Sequence, residues 1–258
     1  MSVKQMNNYQ INSSERMVMQ QRWKNILFIH WKVSPEVIQC LLPPGLKVDT
    51  YNNDAYVGLV PFEMEAVRFV NTPPIPGTSR FLELNLRTYV ISEKGDPGVW
   101  FFSLDAANLV AVTTARSLFQ LPYHWCKMSS KCNDEEAKTV HYLSARKSNL
   151  LNTKSNSSSS EIVYKRPSAE SNFVRAKRET LEYFLVERYL LFSWDKIKSQ
   201  LYQGRVSHVP YRFAQAKLLR LNTTTFRDSD ILEPTEKPCS ILYSPGVETK
   251  IFQLNSVD

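Results

Sequence analysis

The stretch Phe81 to Val90, with the sequence FLELNLRTYV, alternates between apolar and polar side chains. Successive side chains of a β-strand point to opposite faces, so the pattern predicts a strand with leucines on one face and polar groups on the other. The polar face carries Glu83, Asn85 and Arg87. A carboxyl, an amide and a guanidinium in a row either face water on one side of an antiparallel sheet or line a binding cavity. The alternation is compatible with both interpretations.

Strand patterns recur along the chain and are separated by turn-rich loops. The segment WKNILFIHWKV (residues 23–33) predicts a first strand, and the turn residues SEKGDPG after Val90 predict a hairpin into VWFFSLDA. The segment DAYVGLVPFEMEAVRFV predicts one or two strands, in which Gly58 and Pro61 mark a bulge or a sheet edge.

Helical patterns are short. Ser34 followed by Pro35 predicts a helix start, and the sequence PPG stops that helix soon afterwards. Helical spacing of apolar residues within 107–120 and 179–189 predicts two more helices. The sum predicts an α+β fold, mainly an antiparallel sheet with two or three short helices packed against it.

The length of 258 residues fits a single domain, which we place at residues 20–254 after a polar lead-in over residues 1–19. The serine run near residues 152–160 predicts a flexible loop. Neither a membrane-spanning apolar run nor a secretory signal is evident, so a cytoplasmic protein is expected. The formal net charge of +7 raises nucleic-acid binding as a hypothesis. No RNP, helix-turn-helix or finger pattern supports it, and glutamates interrupt the densest basic stretch.

The motifs of several common enzyme classes are absent from the sequence. It contains no GxGxxG, P-loop, GxSxG or HExxH pattern, and its four cysteines form no CxxC pair. Its histidines, His30, His124, His141 and His208, lie far apart without the spacing of a metal site. We therefore expect neither a metal nor a cofactor.

Five segments together resemble a known family. In chain order they are ILFIHWKVSPEVIQCLLPPGLKVDTYNNDAYVGLVPF, ELNLRTYV, ARSLFQLPYHW, FLVERY and ILYSPGV. They are similar to the YqjF-like bacterial family of unknown function, a branch of the acetoacetate-decarboxylase-like superfamily. The resemblance implies a strongly curved, cone- or barrel-like sheet whose interior holds a ligand. It also leaves a homo-oligomer open, since the superfamily's enzymes assemble into large oligomers.

The resemblance to the decarboxylases themselves breaks at their reactive lysine. Their motif of arginine, aromatic residue, proline and two lysines is similar to RSLFQLPYH, where Arg116 and Pro122 match. Tyr123 and His124 stand where the lysine pair should be. An imine needs a primary amine, which neither a phenol nor an imidazole supplies. A Schiff-base decarboxylase is therefore not expected, unless Lys127 or another lysine replaces the missing amine.

Glu83 is similar in position to a pocket glutamate of the decarboxylases, and this favours the cavity interpretation of the polar row. We predict that Glu83, Tyr123 and His124 are catalytic acid or base groups. We also predict that Asn85, Arg87 and Arg116 bind the ligand, and that Glu83 and Arg87, on one face, could pair.

Two functions remain open on these grounds. One is a small-molecule-binding protein that could act as an enzyme on a carboxylate- or carbonyl-bearing metabolite without a Schiff base. The alternative is a non-catalytic ligand-binding or regulatory protein that keeps the cavity. In both, the ligand is anionic or carbonyl-bearing, because guanidinium groups suit planar anions.

Overall fold

The computed structural model describes residues 15–74, 77, 79–134, 138–147, 158–168 and 171–257. Within these residues the chain forms fourteen strands, three α-helices and one 3-10 turn at Arg227–Ser229. The strands are β1 (Met17–Val33), β2 (Leu46–Val48), β3 (Ala55–Phe69), β4 (Phe81–Ser92), β5 (Pro97–Ala106), β6 (Tyr123–Asp134), β7 (Thr139–Arg146), β8 (Ser159–Lys165), β9 (Val174–Arg175), β10 (Leu190–Asp195), β11 (Gln200–His208), β12 (Arg212–Gln215), β13 (Lys217–Thr223) and β14 (Ser240–Ser256). The helices are α1 (Pro35–Gln39), α2 (Leu109–Phe119) and α3 (Leu181–Val186).

Seven strands close into a barrel in the order β1, β3, β4, β5, β10, β11 and β14, and β14 pairs back to β1. All neighbours are antiparallel except β5 and β10, which run parallel and meet through only two residue pairs, Leu191 with Val99 and Phe192 with Trp100. Closure leaves no free edge among these strands and encloses an interior. The predicted fold class, a mainly antiparallel and strongly curved α+β sheet with few helices, is confirmed.

The pairing of β1 with β3 in the barrel wall shifts register twice, and the longer shift concerns the predicted bulge. Their pairing shifts register between Lys24 and Ile29, and Asn25 in this stretch has a φ of 51°. Pro61, which has no N–H to donate, lies on β3 opposite the shift, as the bulge prediction requires. Gly58, in contrast, lies in a regular ladder, and a Cβ there would come within 2.9 Å of the His30 ring. Its small size therefore makes room for that ring and does not mark a bulge.

A second, outer sheet branches from β5. The last residues of β5 pair in parallel with the start of β6, and the sheet continues through β7 and β8 to β13. Because β8 begins at Ser159, the end of the predicted serine-rich loop is strand, while residues 152–157 lie outside the described residues. Likewise β1 begins at Met17, within the predicted lead-in, of which residues 1–14 lie outside the described residues.

The two faces of β4 contribute to different clusters of buried side chains. Leu84 and Leu86 belong to a cluster that also contains Tyr142 and Ile162 of the outer sheet. Phe81 and Tyr89, on the other face, belong to the cluster inside the barrel. The predicted leucine face therefore packs between the two sheets, which leaves the polar face to point into the barrel.

Helices α2 and α3 lie at opposite ends of the barrel interior. Asn108 caps α2 by accepting a hydrogen bond from the Ala111 N–H (3.1 Å), and Thr180 caps α3 in the same way with Tyr183 (3.3 Å). Both helices were predicted from their spacing. No helix in the described ranges has the length and apolarity needed to cross a membrane.

Gly246 lies where the backbones of β14 and β1 approach each other closely, and its substitution tests this contact. Its φ is +135°, and a Cβ there would lie 2.0 Å from the backbone oxygen of Trp23. We expect Gly246→Ala to lower the free energy of unfolding by about 2–3 kcal/mol, measured by urea denaturation, because backbone strain of this kind costs about 1–3 kcal/mol. Gly77→Ala is the matched control, since Gly77 also has a positive φ but no atom within 4 Å of the added Cβ. Equal effects of the two substitutions would contradict the close approach.

Candidate functional site

The barrel encloses a cavity of about 200 Å³. Its walls are mostly apolar and come from β1, β3, β5, β10 and α2, whereas its main polar stripe comes from β4. The exposed lining residues, Phe69, Thr72, Pro73 and Val110, lie beside α2 and mark the opening. We call the side next to α2 and the start of β6 the α2 end, and the side that contacts α3 the α3 end. An apolar pocket with a few convergent polar groups is the usual form of a small-molecule site.

Glu83 is the acidic group of the α2 end, and its side chain is almost fully buried. The Tyr123 hydroxyl lies 3.1 Å from both carboxyl oxygens and donates to them, and the Asn85 side chain forms a further hydrogen bond. Burial raises the pKa of Glu83 to about 8, partly opposed by these two hydrogen bonds and assisted by the nearby Asp105 carboxylate. Near neutral pH Glu83 is therefore mostly an un-ionised acid that can donate a proton.

Side chains of the outer sheet form hydrogen bonds to the backbone of Glu83 and to its neighbour Asp105. The Tyr142 hydroxyl on β7 donates to the backbone oxygen of Glu83 (2.7 Å). Asp105 on β5 pairs with Arg146 on β7 (2.8 Å), and both side chains are 1% exposed. Burial raises the pKa of Asp105, whereas the Arg146 guanidinium opposes this shift. The surroundings of Glu83 thus come from both sheets.

Arg87 provides one positive charge at the α3 end. Its Nη2 donates to the backbone oxygen of Leu185 (3.2 Å), while its buried Nε has no hydrogen-bond partner. The guanidinium carbon lies 5.5 Å from the Phe28 ring centre and 5.8 Å from that of Tyr89. No acidic group among the described residues forms an ion pair with Arg87. Its charge is therefore available to an anionic ligand.

Arg188 provides the second guanidinium at this end, and its side chain is 2% exposed. Its Nε donates to the backbone oxygen of Phe184 (2.9 Å) and its Nη1 donates to Asp49 (2.6 Å). The buried Nη2 has no partner. Unpaired buried donors are costly and rare, so two of them in one cavity indicate a place for an acceptor.

The aromatic groups near the arginines add no charge. Tyr211 lines the cavity, and its ring centre lies 4.5 Å from that of His208. Burial lowers the pKa of His208 to about 4, and burial also lowers the pKa of His30 well below its ordinary value. Both imidazoles are neutral at pH 7. Asp49 balances the charge of Arg188, whereas Arg87 forms no ion pair with any described residue, so Arg87 is the guanidinium of the cavity without a contacting counter-charge.

Four of the six predicted site residues meet in this cavity, namely Glu83, Asn85, Arg87 and Tyr123. The suggested pair between Glu83 and Arg87 does not form, because four residues along a strand separate them by about 13 Å and each has other partners. The buried Asn85 Oδ1 lies between them without a partner.

The other two predicted residues lie elsewhere. The Arg116 Nε donates to the backbone oxygen of Tyr123 (2.7 Å), so Arg116 joins α2 to β6 and does not line the cavity. His124 also does not line it, because it follows Tyr123 on β6 and therefore points to the opposite face. Lys127 is exposed and outside the cavity. Arg116 and His124 therefore lie outside the cavity in which the other four predicted residues meet.

Sequence reasoning missed Arg188 and Tyr211. The signal for Arg188 was present, since the helical spacing that predicts α3 puts this arginine on the same face as Phe184 and Leu185. A charged residue on an apolar face needs a buried partner, and Asp49 is too distant in sequence to be recognised as that partner. Among the described residues, no group of three or more His, Cys, Asp or Glu side chains could hold a metal ion.

Comparisons with known proteins agree with this architecture. A crystal structure of acetoacetate decarboxylase from Legionella pneumophila matches with a TM-score of 0.61 at 12% identity, covering 98% of this chain and 95% of that one. The enduracididine biosynthesis enzyme MppR, complexed with pyruvate, matches with a TM-score of 0.58 at 11% identity, covering 96% and 93%. These TM-scores show a shared fold.

The sequence comparisons identify the family. The uncharacterized protein YqjF of Bacillus subtilis is 35% identical over 235 residues, which cover 88% of this chain and 91% of that protein. The family model DUF2071, described as an uncharacterized conserved protein, matches residues 20–248. The chain therefore belongs to the DUF2071 family, and its fold is that of the acetoacetate decarboxylases.

Proposed function

We propose that this protein binds a small organic acid inside the barrel, with the ligand carboxylate at the α3 end between Arg87 and Arg188. The observation that carries the proposal is the pair of buried guanidinium nitrogens, Arg87 Nε and Arg188 Nη2, that have no partner. A carboxylate accepts two such hydrogen bonds at once and also balances the charge of Arg87. The mostly apolar walls then contact the carbon skeleton.

Glu83 gives the cavity a chemical function at its other end. As an un-ionised acid it can donate a proton or a hydrogen bond to a carbonyl oxygen of the ligand, and Tyr123 holds its carboxyl in place. Lysine is absent from the described residues that line the cavity. The reaction that we infer is thus acid catalysis at a carbonyl without an imine. The pyruvate in the MppR complex is a small acid carried by the same fold, which supports this ligand class.

A non-catalytic binding protein is the second candidate. It is favoured by one observation, namely that Glu83 is the only aspartate or glutamate among the described residues that line the cavity, so no second carboxyl is present there to act as a base. The two candidates differ in the fate of the ligand. Turnover would convert a bound oxo acid into a new compound detected by mass spectrometry, whereas binding alone would return it unchanged.

Arg87→Gln tests the carboxylate site. We expect the wild-type protein to bind hexanoate in isothermal titration calorimetry and the variant to bind it at least ten-fold more weakly, because Gln removes the charge. Hexanamide, which has the same length without a charge, should not bind measurably. Arg212→Gln is the matched control, since Arg212 is exposed outside the cavity, and it should leave the affinity unchanged. Equal affinity of all three proteins for hexanoate would refute the site.

A further inference from the structure

The spacing of the polar groups along β4 limits the length of the ligand. Glu83 and Arg87 point into the same cavity from positions four residues apart, which corresponds to about 13 Å along the strand. The Arg87 guanidinium leans further away, since it lies over the rings of Phe28 and Tyr89 and donates to Leu185 on α3. A ligand that contacts both ends must span this gap.

The length of this gap indicates how many carbon–carbon bonds separate the two oxygen functions of the ligand. Each hydrogen bond takes up about 3 Å, so the two ligand oxygens are separated by roughly 7 Å. With carbon–carbon bonds of about 1.5 Å, this corresponds to four or five bonds between the carboxylate carbon and the carbon that carries the second oxygen. An acid with adjacent carboxylate and carbonyl groups, such as pyruvate, can reach one end only.

The size of the cavity is compatible with such a ligand. A volume of about 200 Å³ accommodates an acid of six or seven carbon atoms, because a single water molecule requires only about 10–15 Å³ of this kind of volume. Between the two ends the wall includes apolar groups such as Phe62 and Phe101, which suit methylene groups, and the unpaired atom of Asn85 there is an acceptor, Oδ1, which offers a carboxylate no hydrogen bond. A second ionised carboxylate next to Glu83 is disfavoured, because Glu83 is un-ionised and offers it no counter-charge.

We propose that the cavity selects monocarboxylic acids that carry a second oxygen function four or five carbon–carbon bonds from the carboxylate. The carboxylate binds Arg87 and Arg188, and the second oxygen accepts a hydrogen bond from Glu83. This inference rests on the proposed carboxylate site and specifies its ligand class. It makes Glu83 the group that distinguishes an oxo acid from the plain alkanoate of the same length.

A series of acids of increasing length tests the inference by isothermal titration calorimetry at pH 6.5. The probes are pyruvate, acetoacetate, 4-oxopentanoate, 5-oxohexanoate and 6-oxoheptanoate, with hexanoate and heptanoate as matched alkanoates. We expect 5-oxohexanoate or 6-oxoheptanoate to bind at least ten-fold more tightly than pyruvate and acetoacetate, and about ten-fold more tightly than the alkanoate of equal length. In Glu83→Met the advantage over the alkanoate should disappear while the alkanoate affinity is retained.

The outcomes separate this inference from the proposed function. Tightest binding of pyruvate or acetoacetate would overturn the length inference and leave the carboxylate site intact. Equal binding of oxo acids and alkanoates by the wild-type protein would overturn the role of Glu83. Failure of every carboxylate to bind would overturn the proposed function itself. If Glu83→Met does not fold, the length series on the wild-type protein still decides the inference.

Discussion

Replacing Asp49 by asparagine is expected to lower the free energy of unfolding by about 3–5 kcal/mol. Asp49 accepts a 2.6 Å hydrogen bond from Arg188, and the two side chains are 5% and 2% exposed. Removing the carboxylate leaves a buried guanidinium without a counter-charge. The resulting destabilisation is much larger than the net stabilisation that the intact pair contributes. Urea denaturation monitored by circular dichroism measures the effect.

Two further variants isolate the cause of this loss. Glu248→Gln breaks the exposed pair between Arg22 and Glu248 and should lower the free energy of unfolding far less than Asp49→Asn, because solvent screens exposed charges. The double variant Asp49→Asn with Arg188→Met removes the stranded charge, so it should be more stable than Asp49→Asn alone by about 2 kcal/mol. If Asp49→Asn costs no more than Glu248→Gln, the pair at the α3 end is solvated and the charge argument fails.

The second large effect concerns the pH dependence of stability and the acid Glu83. Its pKa is about 8 in the folded protein against 4.5 for an ordinary glutamate. Between these values the unfolded chain has released a proton that the folded protein still holds, so stability falls as the pH rises through this window. Glu83→Gln cannot ionise and avoids the loss. The free energy of unfolding of Glu83→Gln minus that of the wild type should therefore increase between pH 4 and pH 8.5, by at most roughly 5 kcal/mol.

Thermal or urea unfolding at a series of pH values provides the measurement. The comparison must be a difference between two proteins, because the buried His30 and His208 have lowered pKa values and make both proteins less stable as the pH falls below about 6.5. Glu236→Gln is the control, since Glu236 is exposed and should give a flat difference. If the difference in unfolding free energy between Glu83→Gln and the wild type also did not change with pH, Glu83 would be ionised in the folded protein.

The sequence allowed much of the local structure to be predicted, because local structure depends on local patterns. The alternation of β4, the hairpin into β5 and the starts of α1, α2 and α3 were all recognisable from periodicity and capping residues. The closed barrel was expected only from the family resemblance, since no local pattern reports that β5 pairs with β10 and β14 with β1.

The candidate site was predicted only where its residues share one strand. Glu83, Asn85 and Arg87 follow one another on β4, so a single alternation identified them. Arg188 reaches the same cavity from a distant part of the chain, and only the closed barrel shows this. His124 was predicted together with its neighbour Tyr123, whereas the start of β6 turns the two side chains to opposite faces and only Tyr123 lines the cavity.

Strand β5 belongs to both sheets, since it pairs with β4 and β10 in the barrel and with β6 in the outer sheet. The cavity wall and part of the hydrogen-bonded support of Glu83 are therefore built on two layers joined by one shared strand. Tyr123, Tyr142 and Arg146 act from the outer layer, whereas the inward-facing side chains of the barrel shape the space. Such a division lets the shape of the cavity diversify by substitutions in one layer, while Glu83 keeps part of its support in the other.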